Sequence, residues 1–446
     1  MGNKQTSEDV SESHILLMGS KTPTSINRST EKPDSVTFTV TTNFHIQIPL
    51  TVVNILLSIL NIVSQVGMTV TLPLFTTALG THKACGVYGK AIAGPYFVLF
   101  FTALWFPVVF FAWVFIAKFL NRNFSLRLNS SMGFVVLLGF LNAMNGVLVV
   151  YSSPSDRTPQ YLQPILSSSV IPFTVILRYL ILRKGISGGR LVATFIVLIG
   201  LIICLEPTIF QLGQDNKTTA NRTAGTIIWP IIFCVGFIPL GLSNVIQERQ
   251  VKKGDQSQSS GGRGEVHSLL FQAWLQLFNF VFLAAVFFLD FIPHFGASAN
   301  FDEFSQNMRW GWNCEFGQAP KFNCSPTDPM PHDPYGPDEH CSLIIGRTWY
   351  FTIFYCLSNL IGLMLIKYAE GAVYLVIVNA LITPVGTFFL TLFQLENDTG
   401  KFYWKPEVDV ATWYALAGVF LMVPAVIWYN YLGNREKKEK ERNAIG

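Results

Sequence analysis

Amide and hydroxyl side chains recur inside long apolar segments of this 446-residue chain, while carboxylates and amines hardly do. Ser64 and Gln65 share one such segment with Asn61, and Asn142 and Asn145 share another. Gln163 and Ser167, Ser168 and Ser169 follow, then Asn244, Gln272, Gln276, Asn359, Asn379 and Thr383. Polar groups deep in an apolar span are costly unless they face the interior of a bundle or a wet cavity. Singly, such residues serve as interhelical hydrogen-bonding groups. Together they offer donors and acceptors without a fixed countercharge, which suits zwitterionic or weakly cationic small solutes. Two positions stand apart. Pro172 follows Ser168 and Ser169, and Pro384 follows Asn379 and Thr383. Proline removes a backbone donor and frees a carbonyl, so both segments are expected to break there and open toward a cavity lined by those four residues.

The elements that position these groups are spans. Half of the residues are hydrophobic, 14% are aromatic and 13% are charged, where soluble domains carry about a quarter charged. A crossing takes roughly 20 apolar residues over about 30 Å of hydrocarbon. Ten segments qualify, near 48–79, 91–117, 132–151, 161–182, 191–210, 225–246, 268–292, 347–366, 371–394 and 411–432. The expected fold is an all-α polytopic membrane protein with ten transmembrane helices. The net charge of +4 is sorted by side rather than gathered on one surface, which argues against nucleic-acid binding. With a cytosolic N-terminus, twenty Lys and Arg fall on the cytosolic side, ten on the other, and Arg178 within a span. That bias follows the positive-inside rule and places both termini in the cytosol. Arg178 lies about one turn from the cytosolic end and is expected to snorkel.

Glycosylation sequons begin at Asn216, Asn221, Asn323 and Asn397, all on the non-cytosolic side of this topology. Cys204, Cys234 and Cys356 lie in apolar segments and read as packing residues. Cys314, Cys324 and Cys341 share one long polar loop and Cys85 sits in a shorter one, where an oxidising lumen permits pairing. The loop over 297–341 is rich in Pro, Asp, Asn and Gly and is expected to be irregular. The first 42 residues are polar and rich in Ser and Thr, hence expected to be disordered. Within them Glu12, Leu16 and Leu17 form an acidic dileucine pattern similar to endosomal and lysosomal sorting signals, which implies a sorting adaptor as partner; the plain alternative is a chance leucine pair. Gly2 fits a myristoylation pattern, but one acyl chain adds little to ten spans.

The chain also repeats itself. Ala193-Thr194-Phe195 with Leu198 and Gly200 recurs as Ala411-Thr412-Trp413 with Leu416 and Gly418, and Pro172 corresponds to Pro384. Two five-span copies result, and because five is odd the second enters the membrane from the opposite side. Inverted repeats of this kind underlie alternating access. The organisation expected is a tail at 1–47, a first repeat at 48–224, a second at 225–432 containing a luminal loop at 293–346, and a basic tail at 433–446.

At this point several motifs resemble the chloroquine-resistance-transporter-like family of the drug/metabolite transporter superfamily. They are Arg157-Thr158, Leu162-Gln163, Ile171-Pro172 and Ile181-Leu182-Arg183 around the fourth span. Ile238-Pro239 with Ser243-Asn244 in the sixth, Phe271-Gln272 and Leu275-Gln276 in the seventh, Asn359 and Pro384 complete the likeness. The resemblance implies ten helices in two inverted halves around a central cavity. It also implies a secondary-active transporter of small metabolites (amino acids, peptides or thiols) across a vacuolar or lysosomal membrane, serving nutrient supply and vacuole osmotic homeostasis. Glu206, at the luminal end of the fifth span, matches an acidic family position, and the resemblance casts it as a proton-coupling group; a solvated helix end is the plain alternative. Relatives often carry four cysteines forming two disulfides in the loop before the eighth helix. Here three are present, so one pair is expected, Cys314–Cys341, unless Cys85 joins to make a second.

No enzyme is expected. The seven histidines lie in tails, loops or span ends, and no nucleophile, zinc or nucleotide motif is present. No cofactor or metal is expected either. The alternative carrier of the same superfamily would take nucleotide sugars or phosphate esters, which call for Lys or Arg in the cavity. A membrane receptor is the more distant alternative.

Overall fold

The computed structural model describes residues 35–41, 44–78, 81–84, 87–91, 94–120, 126, 128, 130–153, 157–158, 166–183, 187–209, 225–259, 268–293, 295–296, 298–318, 337–369, 371–395, 402–406 and 410–445. Helices dominate. They are α1 (Leu50–Ala78), α2 (Pro95–Leu120), α3 (Met132–Ser152), α4 (Val170–Leu182), α5 (Gly188–Ile209) and α6 (Gly225–Ser259), followed by α7 (Ser268–Ala285), α8 (Phe301–Glu315), α9 (Pro337–Tyr368), α10 (Ala372–Asn379), α11 (Ile382–Leu392) and α12 (Val410–Ile445). Among the described residues one two-stranded hairpin precedes α1, β1 (Ser35–Thr41) with β2 (Phe44–Pro49), and two lie between helices, β3 (Thr81–Ala84) with β4 (Val87–Ala91) and β5 (Phe393–Leu395) with β6 (Phe402–Trp404).

Seven of these helices are long and apolar enough to cross a bilayer. Three shorter apolar stretches, Val170–Leu182, Gly188–Cys204 and Ala372–Gly386, stand in the fourth, fifth and ninth expected places. Large apolar side chains such as Phe119, Phe195, Phe420 and Ile427 point outward, an arrangement stable against lipid and not against water. The protein is an integral, helical membrane protein.

Helices pair in a regular way. α1 lies on α9, α3 on α6, α2 on α7, α5 on α12, and α4 on α6 and α10. The α5–α12 pair is antiparallel, because Arg190 meets Glu436 at one end and Cys204 meets Ala415 at the other. Its midpoint is built from small residues. A Cβ on Gly200 would press within 2.5 Å of Met422, and one on Gly418 would overlap the Cys204 sulfur and come within 2.9 Å of the Gly200 carbonyl. Without a hydrophobic force between helices in lipid, such close backbone approach supplies the contact.

Two expectations need correction. Ser35–Thr41, read as part of a disordered tail, is a strand paired with Phe44–Pro49. Its alternating Val, Phe and Thr suit a pleated strand, which a mean polarity over 42 residues conceals. The loop before α9 is not irregular throughout. The seventh expected span itself ends in a 3-10 turn at Phe287–Phe291, and within 297–341 the loop forms the 15-residue helix α8. There Asn300 accepts from the Glu303 amide at 2.8 Å, and the Glu303 carboxylate accepts from the Ala299 amide at 2.9 Å. This reciprocal cap satisfies two amides that would otherwise lack partners, and Asp302 and Glu303 oppose the positive end of the helix.

Both proline segments are interrupted. Ser168 and Ser169 form a turn before α4, and the Ser168 carbonyl accepts from Ile171 at 3.1 Å, three residues on. α10 stops at Asn379 and α11 starts at Ile382. Pro172 and Pro384 are each the third residue of the helix that resumes, so the two interruptions have the same form. They differ in surroundings, since Pro172 is exposed and Pro384 is buried.

Candidate functional site

The predicted cavity residues sort into separate interhelical links. Between α1 and α10, the Asn61 amide donates to Asn379 Oδ1 at 2.6 Å, and one turn away Ser58 Oγ and the Tyr374 hydroxyl lie 3.0 Å apart. Between α7 and α9, Gln272 Nε2 donates to the Asn359 carbonyl at 3.0 Å, while the Asn359 amide turns back to the Tyr355 carbonyl. Between α3 and α6, Ser243 donates to Asn142 at 3.1 Å and receives from Gln247 at 3.2 Å. Asn145 donates to the Gly236 carbonyl at 2.9 Å, and Asn244 is buried nearby on α6.

Several of these groups keep hydrogen-bonding capacity in reserve. Asn54 Oδ1, Asn61 Oδ1, Ser169 Oγ, Thr174 Oγ1, Gln272 Oε1, Gln276 Nε2 and Asn279 Oδ1 are buried without a hydrogen-bond partner. In hydrocarbon each such atom costs free energy unless a polar partner reaches it. They are unused acceptors on α1, α4 and α7 and beside α4, and an unused amide donor on α7.

Other expected members are placed differently. Ser64 is buried but donates to its own helix, at Leu60 and Asn61, so its hydroxyl is spent there. Gln65 and Thr383 are half-buried, as is Glu206 near the end of α5. Gln163, the sequons at Asn216, Asn221, Asn323 and Asn397, the Glu12, Leu16 and Leu17 signal, and Cys85 and Cys324 lie outside the described residues. Cys314 and Cys341 are disulfide-bonded and join the end of α8 to the start of α9.

The largest departure concerns Arg178. It does not snorkel. It is buried on α4 and grips Glu248 of α6 with both arms of its guanidinium, Nε at 3.2 Å and Nη2 at 3.1 Å. Glu248, fully buried, also accepts from the Ala372 amide at the start of α10 at 3.0 Å. Gly371 beside it has φ +93, and a Cβ there would collide with the carboxylate. One ion pair thus ties α4, α6 and α10 together. Sequence gave little signal of it, because Glu248-Arg249 directly after an apolar run reads as a solvated helix end.

At the disulfide-bonded end of the bundle two more carboxylates are buried. Asp290 accepts from Tyr151 at 3.0 Å and Ser298 at 2.6 Å. Glu315, on α8, accepts from Thr348 of α9 at 2.8 Å, and burial pushes its carboxyl up to about 7 despite the opposing effect of that bond.

The family model for chloroquine-resistance-transporter-like proteins matches residues 93–412. Crt homolog 3 of Dictyostelium discoideum is 27% identical over 268 residues, 58% of this chain and 51% of that protein. Crt homolog 1 of the same organism is 25% identical over 259 residues, 56% of this chain and 50% of the relative. The Chloroquine resistance transporter of Toxoplasma gondii is 22% identical over 274 residues, 60% of this chain and 27% of its own length. The match therefore spans about half the length of the Dictyostelium relatives. Because the family match runs from the start of α2 into α12, the chain belongs to the chloroquine-resistance-transporter-like family.

Proposed function

We propose that the protein is a secondary-active transporter that moves small metabolites, amino acids, peptides or thiols, across a vacuolar- or lysosomal-type membrane by alternating access. The observation that carries the reading is the unspent hydrogen-bonding capacity of Asn61, Ser169, Gln272 and Gln276 inside an apolar bundle. It favours a solute with donors and acceptors and no strong net charge.

The ten-helix, twice-five arrangement is part of the proposal. Its support is a symmetry of contacts. Counting α10 and α11 as one broken span and leaving out α8, a shift of five spans exchanges the α1–α9 and α6–α3 pairs and returns α2–α7 and α5–α12 to themselves. Gly200 and Gly418, equivalent in the two copies, meet each other, as residues near a two-fold axis must. The matching interruptions before Pro172 and Pro384 then put two weak points at related places, where the halves can rearrange.

A phosphate-ester carrier is disfavoured because Arg178, the cation that the sequence places inside a span, is committed to Glu248. Cytosolic termini, glycosylation at Asn216, Asn221, Asn323 and Asn397, and an adaptor reading Glu12, Leu16 and Leu17 belong to the same proposal. Glu206 is the proposed proton-coupling group. The test is uptake into proteoliposomes of labelled amino acids, dipeptides and thiols, with and without an imposed pH gradient. Ser169→Leu and Asn379→Leu should each lower uptake of the accepted solute at least about tenfold, and Glu206→Gln should flatten its pH dependence. Normal transport by both leucine variants would refute the cavity.

A further inference from the structure

Away from the polar links lies a small pocket of a different character. It lies between α2 and α9 under the end of α8, is partly open, and is walled by Phe101, Trp105, Phe316 and Trp349. Trp105 and Trp349 are 5.1 Å apart by ring centroid, and Phe101 lies 6.2 Å from Trp105. Glu315, Thr348 and Thr352 complete its lining.

Aromatic rings inside a helical bundle have an ordinary explanation, since they pack against one another. That explanation does not cover the carboxylate. Glu315 is 2% exposed, and among the described residues its hydrogen bonds are to Thr348. A carboxylate has room for about four donors, and burying it beside hydrocarbon without a cation is expensive. Thr352, one turn deeper and 1% exposed, has a hydroxyl without a hydrogen-bond partner. What the pocket lacks is a compact cation carrying several N–H donors.

We propose that this pocket binds a primary ammonium group, held by the Glu315 carboxylate and the Thr352 hydroxyl against the rings of Trp105 and Trp349. Aromatic faces attract an ammonium through their quadrupole, and a charge-assisted bond to the carboxylate is about twice as strong as a neutral one. An –NH3+ head supplies the N–H donors that the carboxylate and the hydroxyl can take, and a trimethylated head has none. Two sources share that chemistry: the ethanolamine headgroup of a phospholipid, and a soluble amine. The site is independent of the transport reading, because it lies outside the Asn61–Asn379 and Gln272–Asn359 links.

The experiment uses the full-length protein, purified free of lipid, with tryptophan fluorescence as readout and ethylammonium chloride as probe. A saturable change is expected with ethylammonium and not with sodium or tetramethylammonium. Glu315→Gln, which keeps the Thr348 bond, should weaken the response at least about tenfold, and Thr352→Val should weaken it about threefold or more. Melting curves confirm that each variant is folded. In nanodiscs, phosphatidylethanolamine replacing phosphatidylcholine should abolish the ethylammonium response if the natural occupant is the lipid headgroup, and leave it unchanged if the occupant is a soluble amine. A response equal for sodium and ethylammonium, or unaltered in both folded variants, overturns the proposal.

Discussion

Removing the Glu248 carboxylate should be among the most damaging single changes in the bundle. Glu248→Ala strips Arg178 of its bidentate partner and takes an acceptor from the Ala372 amide. Arg178 is only 6% exposed, so its guanidinium cannot rehydrate without moving. Breaking a buried pair from one side costs about 3–5 kcal/mol, and Arg178→Ala should cost a similar amount by leaving the carboxylate behind. Replacing both partners with apolar groups of similar volume, Arg178→Met with Glu248→Leu, should recover most of that loss, because neither charge remains to be desolvated. The singles are thus strongly non-additive. Cys204 and Cys356 are free and buried, so a thiol-reactive fluorophore reports their exposure as the detergent-solubilised protein melts. The reasoning fails if Glu248→Ala melts with the wild type, or if the double variant loses the sum of the two single losses. On the transport reading, the stable double variant should still change uptake, since the pair ties α4 to α10.

Three further outcomes follow from single contacts. Gly371→Ala should destabilise by at least about 1–3 kcal/mol, because φ is +93 and the new methyl meets Glu248; unchanged melting refutes this. Reducing Cys314–Cys341, or Cys314→Ser with Cys341→Ser, should cost about 3 kcal/mol by freeing a 27-residue closure in the unfolded chain; a melt insensitive to reductant would contradict it. Glu315 has its folded carboxyl raised to about 7 from 4.5. The stability linked to it is therefore full below about pH 4.5 and lost as pH rises through about 7, by about 3 kcal/mol. Glu315→Gln should flatten that part of a melting-against-pH curve.

The spans were legible because an apolar run of bilayer length has few other uses. Seven of the expected ten are helices long and apolar enough to cross a bilayer. The interruptions before Pro172 and Pro384 were legible too, from a missing backbone donor. What sequence could not supply was pairing across the chain. Arg178 and Glu248 are 70 residues apart, and each alone looks like a helix end seeking water. Ser64 looked like a cavity hydroxyl, yet its own helix offers carbonyls at Leu60 and Asn61 that satisfy it locally. Helix α8 was hidden by the composition of the Pro-rich stretch that follows it, although Asn300 and Glu303 carried the cap pattern.

Charge and neutral polarity occupy different ends of the same two helices, and that division bears on mechanism. α10 begins at Ala372, bound to Glu248, and ends at Asn379, bound to Asn61. α4 begins after Ser169 and carries Arg178 two and a half turns on. The ion pair and the interruptions are therefore separated by roughly 12 Å along each helix. An ion pair spends its partners' capacity and is costly to separate unless water enters with the opening. Amides at the interruptions keep spare acceptors, and exchanging one neutral bond for another with a solute changes little free energy. On the proposed reading, the charged end holds α4 and α10 together while their neutral ends admit and release solute. Asn379→Asp would put charge at the neutral end, and it should slow uptake of zwitterions far more than Asn379→Gln. Equal uptake by the two variants would show that neutrality there is incidental.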